Sequence, residues 1–206
     1  MSRPFLWIVG GVVGLGLIVW MAFAIASEPT DTKYDDLTIG WGEVTVEGEF
    51  LPPLPESGQD PAVGTAAATI SGSDWNGNSY SIAPDGRPKV VMFLAHWCPH
   101  CQAEVPELQA WVDAGLAPTD VDIYSITSLT NPTRTLWPPQ EWLESEQWTF
   151  PVIMDDEIST AANAYGLSGT PFYVVLDGEN NVVLRLSGRI GVFAFEQLVE
   201  AARASA

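Results

Sequence analysis

Cys98 and Cys101 are the only cysteines in the chain. They flank Pro99-His100 in "FLAHWCPHCQAEVP", residues 93–106. Such a pair could hold a metal, attach haem, staple a loop, or exchange electrons with other thiols. A structural zinc site takes four ligands, usually from two such pairs. Here only His96 and His100 could add to the cysteines, and His100 lies inside the pair, where it does not easily turn onto the same ion. Covalent haem attachment takes a histidine directly after the second cysteine, and that residue is Gln102. A staple across so short a loop contributes only about 2 kcal/mol by loop entropy. Reversible thiol–disulfide exchange uses every residue of the motif.

That chemistry needs a strand and a helix to hold the sulfurs. "KVVMFLA", residues 89–95, is a continuous apolar run, the pattern of a buried central strand. A helix is expected to start near Cys98. The macrodipole and the unpaired N–H groups there favour a thiolate at Cys98. Pro99 suits the first turn, where its missing N–H would have no partner anyway. His100 can donate a hydrogen bond or place positive charge near the sulfur. Cys101 follows by one helical turn, so the two sulfurs can meet and close a disulfide.

The rest of the chain supplies alternating elements. "ATISGSDWNGNSYSI" reads as a strand pair turning at Asn76-Gly77. "VDIYSITS", 121–128, reads as a second buried strand, "PPQEWLESEQW" as a helix from Pro138 or Pro139, and "FPVIMDD" as a third strand. "EISTAANAYGL" reads as a helix ended by Gly166, "PFYVVLDGENNVVLRLSG" as a hairpin, and "VFAFEQLVEAARA" as a closing amphipathic helix. Strands alternating with helices predict an α/β fold around a central mixed sheet over residues 62–206. Trp137 and Trp142 are expected to pack a core.

Ahead of this domain, Pro4–Ala26 is free of charge, long enough to span a bilayer as a helix. Arg3 precedes it, and Glu28, Asp31, Asp35 and Asp36 follow. The positive flank predicts residues 1–3 in the cytoplasm and everything after Ser27 outside, on a single-pass anchor in the cell membrane. A cleaved signal peptide ending at Ala24-Ile25-Ala26 is the competing reading; its apolar region would ordinarily be shorter. Either places the cysteines in an oxidising compartment. Residues 27–61, with Pro29, Pro52, Pro53, Pro55 and Pro61 among many acids, read as a stalk, with a short strand in "GEVTVEGEFL".

The chain has 206 residues, 47% of them hydrophobic, enough for a packed core. Aspartate and glutamate number 26 against 8 lysines and arginines, a net charge of −18. That charge repels phosphate backbones and argues against nucleic-acid partners.

"WCPHC" after an apolar strand, with Gly169-Thr170-Pro171 later, resembles the thioredoxin superfamily. "FLAHWCPHCQAEVPEL" is similar to the WCxxCxxExP pattern of TlpA/ResA-type membrane-anchored thiol–disulfide oxidoreductases, and the likeness covers about residues 62–205. It implies a thioredoxin-like fold, no cofactor and no metal. It also implies protein thiols or disulfides as partners, with room for a redox partner in the membrane. By the same resemblance Pro171 is the cis-proline facing the redox pair; Trp97, directly before Cys98, is expected to flank the active surface, and the Thr170–Pro171 backbone to hold the substrate chain as an added strand. Glu104 is the acid below the cysteines, expected to move the proton of Cys101, and Pro106 kinks the helix.

Two departures bear on direction. The buried aspartate of cytosolic thioredoxin is replaced by Met92, leaving Glu104 as the candidate proton carrier. Pro99-His100 resembles DsbA-type oxidants, whereas the family resemblance implies a reductant, for instance of apocytochrome thiols. A histidine stabilising the Cys98 thiolate would raise the potential above thioredoxin's value of about −270 mV. Three rivals are weaker. A peroxiredoxin-type peroxidase would have Thr or Ser where Ala95 stands and Pro where Val91 stands. A copper-delivery module would need a histidine after His100, and a non-catalytic scaffold would leave the motif unexplained.

Overall fold

The computed structural model describes residues 40–205. The proposed span at 4–26 and the first part of the stalk lie outside the described residues. Among the described residues no helix is long and apolar enough to cross a membrane.

In chain order the elements are β1 (Thr45–Glu47), β2 (Thr69–Ser73), β3 (Ser79–Ile82), β4 (Lys89–Leu94), α1 (Pro99–Asp113) and β5 (Asp122–Thr127). Then come α2 (Pro139–Ser145), β6 (Val152–Met154), α3 (Thr160–Ala164), β7 (Phe172–Leu176), β8 (Val182–Ser187) and α4 (Gly191–Ala204). Five strands form the central sheet in the order β6-β5-β4-β7-β8. β4 runs parallel to β5 and antiparallel to β7, so the sheet is mixed as expected. All six residues of β4 are buried, which accounts for the apolar run that follows Lys89.

Alternate residues of the central strands serve opposite faces. On one face Val90, Met92, Leu94, Tyr173 and Val175 pack with Cys101, Val105 and Leu108 of α1 and with Phe195, Leu198 and Val199 of α4. On the other, Val91, Phe93, Phe172 and Val174 pack with the alanines of α3, Tyr165, and Ile70 and Ile82 of the smaller sheet. That smaller sheet, β1-β2-β3, is antiparallel. Its β2–β3 turn holds Gly77 at φ +83°, a conformation glycine adopts without strain.

The folded body begins earlier than residue 62. β1 pairs with β2, setting Val46 opposite Ile70. Leu51 is buried, and its N–H donates to the carbonyl of Ala164 (2.8 Å), while Leu54 N–H donates to Gly166 O (3.0 Å). These bonds satisfy carbonyls left over at the C-terminal end of α3. Asp60 meets Arg185, whose side chain is fully buried, at 2.6 Å. The prolines and acids of residues 40–61 therefore mark an extended wrap over the second face, where the sequence suggested a stalk. Gly166 (φ +66°) permits the close approach of Pro52, since a Cβ there would lie 2.3 Å from Pro52 O.

Candidate active site

Cys98 is the N-cap of α1, in extended conformation (φ −79°, ψ 118°), followed by Pro99 in the first turn. β4 ends at Leu94, and a turn closed by Cys98 N–H to Ala95 O (3.0 Å) delivers the first sulfur to the helix N-terminus. Both thiols are free and buried, with Cys98 6% and Cys101 0% exposed. The Cys98 thiol donates to the carbonyl of Thr170 at 3.2 Å, and Cys101 Sγ accepts from Ala95 N–H at 3.5 Å.

The two thiols differ in acidity. Burial pushes Cys98 up, but the Thr170 side chain and the backbone N–H groups of Cys101 and His100 outweigh it and hold Cys98 below the usual thiol range. Burial pushes Cys101 far above that range, and negative charge on Cys98 adds to the shift. An ionisable outer sulfur and a protonated inner one are the arrangement of a nucleophile with a resolving thiol.

Thr170 and Pro171 come to this site from the start of β7. The Thr170–Pro171 peptide is cis, Pro171 is buried and Thr170 is half-buried. Gly188 N–H donates to Pro171 O (2.8 Å) and the Ser187 hydroxyl to Gly169 O (3.0 Å), fixing the loop against β8.

Glu104 lies one turn beyond Cys101 and is fully buried, not a solvated helix residue. Its Oε1 accepts from the Tyr173 hydroxyl (2.8 Å), Gly191 N–H (3.0 Å) and Ile190 N–H (3.3 Å). Arg189 Nε stands 3.4 Å from Oε2 and also pairs with Glu107 at the surface. Tyr173 and Arg189 escaped sequence reasoning. Tyr173 sits inside an apolar strand, and Arg189 lies in the turn into α4. Only the antiparallel pairing of Met92 with Tyr173 brings that hydroxyl beneath α1.

His100 departs from expectation. Its side chain is exposed and makes no hydrogen bond, and its influence on Cys98 runs through its backbone N–H. A helix N-terminal side chain points outward here, while the first-turn amides converge on the cap residue.

The other histidine is the engaged one. His96, 1% exposed, holds Thr135 O through Nδ1 (2.8 Å) and accepts Asn131 N–H at Nε2 (3.2 Å). One nitrogen donates and the other accepts, which fixes the neutral tautomer. Burial accordingly lowers the His96 pKa, and neither nitrogen is left for a metal. Trp97 is half-buried and donates to Leu129 O (2.7 Å). Trp142 is core, 2% exposed, whereas Trp137 is half-buried between Trp41 and the edge of His96.

Comparison with known proteins agrees with this geometry. Residues 63–185 match the AhpC/TSA family. The sporulation thiol-disulfide oxidoreductase A of Bacillus subtilis (strain 168) is 26% identical over 132 residues, 64% of this chain and 73% of that protein. Among solved structures, a DsbF homologue from Corynebacterium diphtheriae superposes with a TM-score of 0.58 at 19% identity, covering 75% of this chain and 99% of the other. A thiol:disulfide interchange protein of the thioredoxin family from Chlorobium tepidum TLS gives 0.53 at 26% identity, covering 68% and 97%. The fold is thioredoxin-like.

Proposed function

The chain belongs to the AhpC/TSA family, and we propose that it is a protein thiol–disulfide oxidoreductase, held by residues 4–26 on the outer face of the cell membrane. The observation that carries the activity is a pair of free thiols one helical turn apart, Cys98 capping α1 against the cis Thr170–Pro171 peptide and Cys101 buried behind it. The thiol–disulfide oxidoreductases among its relatives support it.

In the reducing direction Cys98 thiolate attacks a partner disulfide. A Cys98–partner bond forms, the partner's S–S bond breaks, and the released thiolate takes a proton from solvent. Cys101 then loses its proton and attacks Cys98 Sγ. The Cys98–Cys101 disulfide forms, the Cys98–partner bond breaks, and the expelled thiolate takes a proton from solvent, so the partner leaves as a dithiol that has gained two electrons. Glu104 receives the Cys101 proton, with Tyr173 and the Gly191 N–H orienting its carboxylate. Pro171 O is already bonded to Gly188 and Thr170 O takes the Cys98 thiol, so the Thr170 N–H is the backbone group that a partner chain would pair with as an added strand.

Oxidation of partner thiols is the second reading. It is favoured by the stabilised Cys98 thiolate, which favours the reduced protein and raises the potential. Peroxide reduction has less support, since Ala95 offers no hydroxyl beside the sulfurs. Redox titration against glutathione separates the directions. A value at or below about −270 mV supports electron delivery, and a clearly higher one supports the oxidant. A chain without a titratable Cys98–Cys101 disulfide contradicts both. For the topology, protease added to intact spheroplasts should release the folded domain; protection until lysis would overturn the outward orientation.

A further inference from the structure

The described residues include six lysines and arginines. Five pair with carboxylates: Arg87 with Asp122, Lys89 with Asp85, Arg185 with Asp60, Arg189 with Glu104 and Glu107, and Arg203 with Asp120. Arg134 is the exception among the described residues. In a chain of net charge −18, a guanidinium without a carboxylate is unusual, and its position is specific. Its central carbon lies 5.2 Å from the ring centroid of Trp97, the residue before Cys98.

The loop that carries Arg134 is clamped to the redox motif. Trp97 binds its Leu129 carbonyl, and His96 binds both Thr135 O and Asn131 N–H. Leu129 N–H is fixed in turn by the hydroxyl of Ser159 (3.1 Å), and Arg134 N–H returns to Asn131 O (3.1 Å). Arg134 itself is exposed. A ring beneath a guanidinium orients it without using its in-plane N–H donors, which match a carboxylate in bidentate fashion.

We infer that Arg134 is a docking cation for an acidic residue flanking the reacting cysteine of a partner polypeptide. The inference rests on the proposed exchange activity and adds the chemistry of the partner. No carboxylate of the described residues pairs with Arg134 and competes for it. Charges farther than about 8–10 Å are screened at physiological salt, so the cation on the Trp97 ring, next to the redox motif, acts in the last step of approach.

The test compares two synthetic disulfide peptides that differ only in Glu or Lys beside their cysteines, with uncharged bis(2-hydroxyethyl) disulfide as reference. The full chain should prefer the Glu peptide in kcat/KM by about threefold, the range of an exposed ion pair. Arg134→Gln should erase that preference while leaving the uncharged disulfide unchanged, and Arg134→Glu should reverse it. A preference that survives Arg134→Gln, or its absence in the parent chain, would overturn the inference. So would equal slowing of all three substrates, because Arg134 would then act only on the thiolate. If the parent chain exchanges with none of them, the activity itself is refuted. The docking site is then judged by equilibrium binding of the same peptides with Ser for Cys, where an Arg134-dependent preference for Glu supports it and equal binding refutes it.

Discussion

Two carboxylate side chains are buried among the described residues, and they are satisfied in different ways. Asp155 accepts four donors: the Ser128 hydroxyl (2.6 Å) and the N–H groups of Asp156, Ala161 and Ala162 (3.0, 2.9 and 3.1 Å). No cation is among these partners, and burial raises its pKa despite them. Its bonds hold the start of α3, where Ser159 is left-handed (φ 58°) and makes no side-chain cap. Glu104 also takes backbone and hydroxyl donors, but it adds Arg189, 39% exposed at the surface. It sits one turn below Cys101, the thiol that gives up a proton in the proposed exchange. The first carboxylate is a fastener; the second lies one helical turn from a buried thiol and is tied to a charge that reaches solvent. Similar burial therefore does not imply a similar role.

The largest effect expected is at the sulfurs above Glu104. Cys98→Ala should abolish exchange, whereas Cys101→Ala should accumulate mixed disulfides with partner proteins, visible on non-reducing gels. Adducts that persist in Cys98→Ala and vanish in Cys101→Ala would reverse the roles and detach Glu104 from the resolving thiol.

Asp155→Ala should then lower stability by about 3 kcal/mol, because buried N–H groups lose their acceptor. Chemical denaturation measures that loss, and exchange per folded molecule should not change. An altered exchange rate in the folded fraction would break the contrast from the structural side.

Glu104→Gln keeps an acceptor for Tyr173 and Gly191 and should cost only about 1 kcal/mol. The pH profile of disulfide resolution should nevertheless shift, since a carboxylate beside a thiol alters its deprotonation. An unchanged profile would reduce Glu104 to a second fastener.

The strand–helix frame and the cysteine pair were legible in the sequence because each has a local signature. The run 89–94 has no polar interruption except Lys89, and Cys98-Pro99 carries its own helix start. Cis Pro171 and the buried Glu104 followed from a family resemblance, since neither has a local signal. What was not legible depends on long-range pairing. Tyr173 gains its role from a partner on α1, His96 from a loop some 35 residues on, and Asp60 from Arg185 on β8. Composition misassigned residues 40–61 for the same reason: prolines and acids describe an extended chain but not what it lies against. His100 misled because a residue between two cysteines in sequence can still point to solvent.

The smallest effect concerns His96, the buried titrating group beside the motif. Its pKa is lowered from 6.5, so the folded state binds fewer protons than the unfolded one. Its stabilising contribution is present above pH 6.5 and is lost as pH falls through the lowered value. The denaturation midpoint should therefore decline more steeply with acidification below that pH in the parent chain than in His96→Asn.

The most direct test of the central claim, an ionisable Cys98 over a protonated Cys101, is alkylation of the reduced chain by iodoacetamide across pH, mapped by mass spectrometry. Cys98 should react with an apparent pKa below the ordinary 9.0, while Cys101 stays unmodified until well above it. Equal reactivity of the two cysteines, or earlier modification of Cys101, would contradict the account.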